Sequence, residues 1–385
     1  MSHQARPSKK HSPKIKPLDE LSIVHPHAAG LDIGASEIWA CVPAAGTPES
    51  VRAFGTFTVD LHALADWLSG CGVDTIAMES TGVYWIPVFE LLEARGFTVF
   101  LVNSWRLKHV PGRKSDVLDG QWIQKLHSLG LLRGSFRPDA ELGALRTLLR
   151  HRTELIRHRA PHILHMQKAL VQMNLQLSLV LADITGENGQ KIVRAIVAGE
   201  RNPLTLARLR HSACRSSEDE IAKALTGTWR PEHLLTLQQA LALFDFYTHL
   251  LAACDAELFR RFAAVKPRWD APATLPKLSK PPYHSHSKNQ PAYDARAELF
   301  RITGVDLCAI TGLSTSLIQT ILTEIGADMS KFPSEKHFGA WLGLAPHHEI
   351  SGGKILRNNT LQTDNRAGQA FRQAKEAYFD EFGGL

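Results

Sequence analysis

Between residues 27 and 102 the chain runs through short apolar stretches of two kinds, and their order restricts the possible folds more than any other feature. Residues 27–45 (HAAGLDIGASEIWACVPAA) read as a strand, a small-residue turn and a second strand, and Val51 to Val59 supplies a third. His62 to Leu68 has helical spacing and Val73 to Met78 is a short buried strand. Tyr84 to Arg95 repeats apolar residues at helical intervals, and Phe97 to Val102 is another continuous apolar strand. A strand meander followed by alternating helix and strand predicts a mixed α/β sheet, assigned to a domain over 27–143.

Downstream the periodicity changes. From Ala144 to about Val265 the chain reads as helical, with Leu145, Leu148, Leu149, Leu155 and Ile156 on one side. A basic cluster lies on the other: Arg146, Arg150, Arg152, Arg157, Arg159 and Lys168, among His151, His158, His162 and His165. Two readings stay open for it, the solvated face of a bundle or coiled coil and a surface that touches nucleic-acid backbone. Pro161 is expected to kink or break the run. Residues 266–297 are rich in Pro, Ser and Lys without periodicity and read as a linker, which leaves 298–385 as a mainly α C-terminal domain. Within it, residues 302–326 (ITGVDLCAITGLSTSLIQTILTEIG) have the pattern of a helix-hairpin-helix or of a plain helical hairpin. Before the sheet, residues 1–26 carry Lys9, Lys10, Lys14 and Lys16 among Ser and Pro and read as a disordered basic tail.

Composition excludes several classes. No stretch approaches the roughly 20 apolar residues of a membrane span, and the N-terminus lacks the apolar core of a secretion signal, so the expectation is a cytoplasmic protein with no membrane partner. The five cysteines are odd in number, scattered and without a C-x-x-C pair, which argues against a disulfide framework or zinc ribbon. The formal charge of +6 is modest and gains meaning only from clustering of the bases.

Four carboxylates stand out by position. Asp32 ends the first strand, Glu79 ends the strand around Ile76, and Asp116 and Asp119 follow the strand Phe97 to Val102. Strand ends bring distant residues together, and i, i+3 spacing puts Asp116 and Asp119 on one helix face. Such a cluster repels itself unless a divalent cation is bound, and all-oxygen ligands favour Mg2+ or Mn2+. Lys108, Arg113 and Lys114 immediately precede Asp116 and suit an anionic polymer held over metal. Taken singly, each acid reads as a cap or a solvated charge. Leu31-Asp32-Ile33-Gly34 alone also resembles the first phosphate loop of actin-like ATPases, but the second glycine-rich loop those enzymes need has no good candidate, since Gly304 and Gly312 sit in a helical setting.

Near the C-terminus, Gly343-Leu344-Ala345-Pro346 leads through His347, His348 and Glu349 to Ser351-Gly352-Gly353-Lys354, followed by Arg357 and Arg366. A serine before two glycines sits on backbone that a substrate can approach closely, and the bases Lys354, Arg357 and Arg366 suit a phosphate. Ser351 is therefore a candidate nucleophile, with a flexible polar loop as the plain alternative.

LDIG at 31–34, MESTGVYW at 78–85, VNSWRLKHVPGRKSDVLDGQWIQKL at 102–126, HMQKALVQMNLQL at 165–177, DITG at 183–186, IVAGERNP at 196–203 and GLAPHHEISGGK at 343–354 together resemble the IS110 family of transposases, most closely its IS1111 branch. The resemblance implies a RuvC-like, ribonuclease-H-like N-terminal domain. It implies that Asp32, Glu79, Asp116 and Asp119 bind divalent metal and that Ser351 attacks DNA and becomes joined to it. It further implies DNA partners (element ends and target), an element-encoded noncoding guide RNA, and a homo-oligomer, dimer or tetramer, in which different subunits supply acids and serine. Family members usually continue past the position of Leu385 with a basic helical stretch, so the C-terminal serine domain is expected to be truncated. An inactive nucleic-acid-binding remnant is the alternative, beside a RuvC-like nuclease and an actin-like ATPase.

Overall fold

The computed structural model describes residues 21–44, 49–79, 82–102, 116–137, 139–267, 274–277, 288–352, 354–360 and 365–382. The chain divides into two compact units, Met1–Phe136 and Arg137–Leu385.

The first unit is built on a five-stranded sheet of order β3-β2-β1-β4-β5. Strands β1 (Ala28–Ile33), β2 (Glu37–Cys41) and β3 (Val51–Gly55) form the antiparallel meander, whereas β4 (Thr75–Glu79) and β5 (Thr98–Val102) run parallel to β1. Helix α1 (Thr58–Gly70) leads to β4 and α2 (Trp85–Ala94) to β5, as parallel neighbours require a crossover. Val59, read from sequence as strand, belongs to α1, whose first turn is fixed by Asp60 accepting a hydrogen bond from the Phe57 N–H at 3.2 Å. Side chains alternate across the sheet. Ala29, Leu31, Ile33, Ile76, Met78 and Leu101 share one core with Leu64, Leu68, Val88 and Leu92 of α1 and α2. On the opposite face Ala77 and Val102 pack with Ile123 and Leu126 of α3 (Asp116–Ser128).

Two long helices carry the second unit, α4 (Ala140–Gln172) and α9 (Pro231–Ala264). They run antiparallel, since Arg152 bonds Asp255 while Arg159, two turns further along α4, reaches Thr248. One end of the pair buries Met166, Leu170, Leu237 and Leu241 against the short helices α5 (Leu177–Val180), α6 (Glu187–Val197), α7 (Pro203–Ala207) and α8 (Glu218–Ala224). The other end buries Leu145, Leu155, Leu258 and Phe262 against α10 (Ala295–Thr303) and α11 (Thr315–Ile325). Pro161 does not break α4: the helix is continuous through it. Packing on both sides of the proline holds the helix, through the Arg159 bonds to Thr248 of α9 and to Asn289 before it and through Met166, Ala169 and Leu170 after it.

Residues 288–297, read from sequence as the end of a linker, are held against the long helices. The Asn289 carbonyl accepts from Arg152 at 2.9 Å, the Ala292 N–H donates to Asp255 at 3.0 Å, and the Tyr293 hydroxyl accepts from Gln319 at 2.6 Å. Helices α12 (Glu335–Trp341) and α13 (Arg366–Phe382) close a smaller apolar cluster of Ile325, Leu342, Ala367, Phe338 and Phe371. Between them, the segment read from sequence as a loop is an antiparallel hairpin, β6 (Pro346–Ser351) and β7 (Lys354–Thr360). Ser351 pairs with Lys354, and Gly352, directly after Ser351, has a positive φ of 58°. Tight hairpin turns favour such backbone, which is why glycine serves at Gly352. Among the described residues no helix is long and apolar enough to cross a membrane.

Candidate active site

The structure brings Asp32 and Glu79 together at one end of the first unit's sheet. Register pairs Leu31 of β1 with Met78 of β4 in parallel, so the next residues, Asp32 and Glu79, come side by side at the carboxyl ends of adjacent strands. Neighbouring strands lie about 4.8 Å apart. Both acids fall on the α3 face, because Asp32 shares the parity of Gly30 and Glu79 that of Ala77. Glu79 is buried, with 6% of its surface exposed, and Asp32 is half-buried.

Helix α3 is seated on β1 by the absence of a side chain. A Cβ on Gly30 would lie 2.3 Å from the Gln124 nitrogen and 2.4 Å from the Gly120 oxygen, and one on Gly120 would lie 2.9 Å from the Cys41 Sγ. The direction of α3 follows from its far end. Val24 and His25 N–H groups donate to the Ser128 carbonyl, and Gln124 Nε2 donates to the Ala28 carbonyl at 3.2 Å. The C-terminus of α3 thus lies at the start of β1, and its first turn, with Asp116 and Asp119, points toward the end where Asp32 and Glu79 sit. Asp119 is half-buried, and the side chain of Asp116 lies outside the described residues.

Electrostatics register the same edge. The buried Cys41 thiol is pushed up to about 12, first by burial and then by the negative charge of Asp32. It stays protonated and unreactive at neutral pH. Among the described residues no three His, Cys, Asp or Glu side chains are grouped so as to hold a metal ion.

The predicted basic residues have varied settings. Lys108, Arg113 and Lys114 lie outside the described residues. In the second unit Arg146 and Arg150 both reach Glu324 of α11, at 3.7 and 2.6 Å, and Arg157 pairs with Glu154 at 2.6 Å. Lys168 is exposed, as are Lys354 beside the hairpin turn and Arg366 at the start of α13. Ser351 is the last residue of β6, directly before the turn; its side chain and that of Arg357 lie outside the described residues. The acids and Ser351 therefore belong to different compact units. Gly312, at the bend of the expected helix-hairpin-helix, has a φ of 87°, and a Cβ there would lie 2.3 Å from the Ala374 carbonyl oxygen of α13. That glycine serves helix packing within the unit.

Sequence reasoning passed over Gly30 and Gly120, which position α3. A glycine inside an otherwise apolar strand, two residues before an acid, was the available signal for close backbone approach.

Two family models match the chain. A transposase model of the IS110 type, named for a DEDD domain, covers residues 29–175, and a model of the transposase IS116/IS110/IS902 family covers residues 306–374. No curated protein matches the chain. The first match spans the sheet, its acids and all of α4; the second spans α11, α12, the hairpin and half of α13. Together they take in more than half of the sequence, and the chain belongs to the IS110 family of transposases, enzymes that process DNA.

Proposed function

We propose that the chain is a recombining transposase with a RuvC-like first unit, using the carboxylates of Asp32, Glu79, Asp116 and Asp119 together with the Ser351 hydroxyl. One observation carries this: Asp32 and Glu79 stand side by side at the ends of parallel strands, on the face covered by the helix that bears Asp119. The strand order, a meander flanked by two parallel strands, supports a ribonuclease-H-like sheet. The acids also follow one another in the D-E-D-D order of the matched domain's name.

The donor set fits a hard divalent cation, Mg2+ or Mn2+. It consists of carboxylates, and the neighbouring Cys41 is held in its neutral form and offers no thiolate to a softer metal. Asp32, Glu79, Asp116 and Asp119 would hold the ion, drawing inward against their mutual repulsion. Bound there, a divalent ion supplies stabilisation of the charge that develops on phosphate oxygens. Ser351 Oγ forms a bond to phosphorus, the bond from phosphorus to one bridging oxygen breaks, and that oxygen leaves as a strand hydroxyl. The serine proton is released in the same step. Lys108, Arg113, Lys114, Lys354, Arg357 and Arg366 hold the DNA backbone on either side. In this proposal the chain acts as a dimer or tetramer in which separate subunits supply acids and serine. The IS1111 branch, a guide RNA and a cytoplasmic setting complete the proposal.

The test is a denaturing gel of the full chain incubated with Mg2+ and DNA carrying element ends. Wild type is expected to form a covalent protein–DNA adduct, with none from Ser351→Ala and none from Asp32→Asn or Glu79→Gln. Nicking that survives Ser351→Ala would point to a metal-dependent nuclease, binding without nicking to an inactive remnant, and ATP hydrolysis without DNA to an ATPase.

A further inference from the structure

The second unit carries a surface that the proposed chemistry does not use. His158, His162 and His165 occupy positions i, i+4 and i+7 of α4 and so share one face of the helix. Tyr247 of α9 lies nearly parallel to two of them, 21° from His158 at 5.9 Å and 15° from His162 at 5.5 Å between ring centroids. His165 meets His162 edge-on at 5.7 Å, and Phe246 meets Tyr247 edge-on at 5.6 Å. Five rings thus form one contiguous patch. His158 and His165 are exposed, and 55% of the Phe246 surface faces solvent.

The chemistry around the rings is cationic. Lys168 stands one turn beyond His165, exposed and without an ion-pair partner among the described residues, and the largely exposed Arg157, which also pairs with Glu154 at 2.6 Å, adjoins His158 in the chain. Burial, then the neighbouring His165, hold His162 below the usual histidine range, so its ring is a neutral stacking partner at pH 7. Stacked rings in a structural core are covered by apolar neighbours; here His158, His165 and Phe246 stay exposed, His162 and Tyr247 are half-buried, and bases lie at the border. That combination matches single-stranded nucleic acid, whose unpaired bases stack on aromatic faces while its phosphates meet cations. A duplex keeps its base faces covered and has no use for the rings.

We infer that the face formed by His158, His162, His165, Phe246 and Tyr247, bordered by Lys168 and Arg157, is a base-stacking platform for single-stranded DNA. It rests on the proposed function only in taking DNA as the polymer. The platform would hold a strand released when duplex DNA opens during recombination.

Fluorescence anisotropy with the full chain tests this, using a short oligothymidylate, a blunt duplex of equal length and an oligouridylate. His158→Ala combined with Tyr247→Leu is expected to weaken oligothymidylate binding roughly tenfold or more and to leave duplex binding unchanged, while Tyr247→Phe retains wild-type binding. Should the Tyr247→Leu variant melt early, the exposed pair His158→Ala and His165→Ala carries the same comparison. Unchanged oligothymidylate binding overturns the inference. So does an equal loss for duplex, which would mean a charged surface only, and so does a loss confined to oligouridylate, which would assign the platform to RNA. No strand cleavage is required, so failure of the adduct experiment leaves this measurement intact.

Discussion

At the scale of single residues, burial sets the chemistry of this chain as much as residue type does. His127 in α3 is fully buried, with its Nε2 2.9 Å from the Thr75 hydroxyl and its ring stacked on His25 at 5.0 Å and against Phe100 at 4.8 Å. Its Nδ1 is buried without a hydrogen-bond partner among the described residues. Burial, then the His25 ring, push its pKa down from 6.5 to about 4, while Asp74 pulls the other way. The folded state thus prefers the neutral ring. That stabilisation is fully present above pH 6.5, the unfolded value, and is lost as pH falls toward 4. At 1.36 kcal/mol per unit of pKa shift the loss is about 3 kcal/mol. Urea midpoints followed from neutral to acid pH will show it as a decline that His127→Gln flattens. An equal slope in that variant would assign the acid sensitivity to other groups.

At the scale of elements, close backbone contact decides where the acids go. Gly30 admits α3 onto β1, and the atoms a Cβ would meet there, the Gln124 nitrogen and the Gly120 oxygen, are backbone, so the helix itself must shift. Gly30→Ala is expected to cost roughly 1–3 kcal/mol or more and to displace Asp119 from the acidic edge, lowering the urea midpoint and DNA cleavage together. Gly143→Ala is the control. Nothing lies within 4 Å of the position its Cβ would take, and alanine favours the helix, so stability should hold or rise. A Gly30→Ala protein as stable as wild type would remove the glycine from any positioning role. The hairpin shows the same logic on a smaller scale, since Gly352 takes a positive φ directly after Ser351, which pairs with Lys354.

At the scale of the whole molecule, the helical region and the C-terminal segments form one unit instead of a chain of beads. A buried ion pair pins them. Arg152 reaches Asp255 at 2.5 and 3.2 Å, and the same two side chains bind the Asn289 carbonyl and the Ala292 N–H, which ties α4, α9 and the segment before α10 together. Removing one partner strands the other as an uncompensated buried charge. Asp255→Ala is therefore expected to destabilise this unit by about 3–5 kcal/mol, read as a fall in melting temperature. A shift of less than about 1 kcal/mol would place the pair among surface-like bridges of little consequence.

Alternation and helical spacing are local, so the sequence alone determined the mixed sheet, the long helices and the order of the acids Asp32, Glu79 and Asp119. Chain-order motifs likewise sufficed for the family, which the matches over 29–175 and 306–374 show. What stayed hidden depended on partners remote in sequence. Pro161 has local chemistry that argues for a break, yet contacts with α9 keep the helix whole. The arginines of α4 read as an open basic face, and only the approach of Glu324 and Asp255, more than a hundred residues away, shows which are paired. The ring platform needed Tyr247 brought beside His158 by antiparallel packing, and the seat of α3 needed Gly30 to meet Gly120. A residue's type and its neighbours along the chain set what it is able to do, and the packing of distant segments sets what it meets.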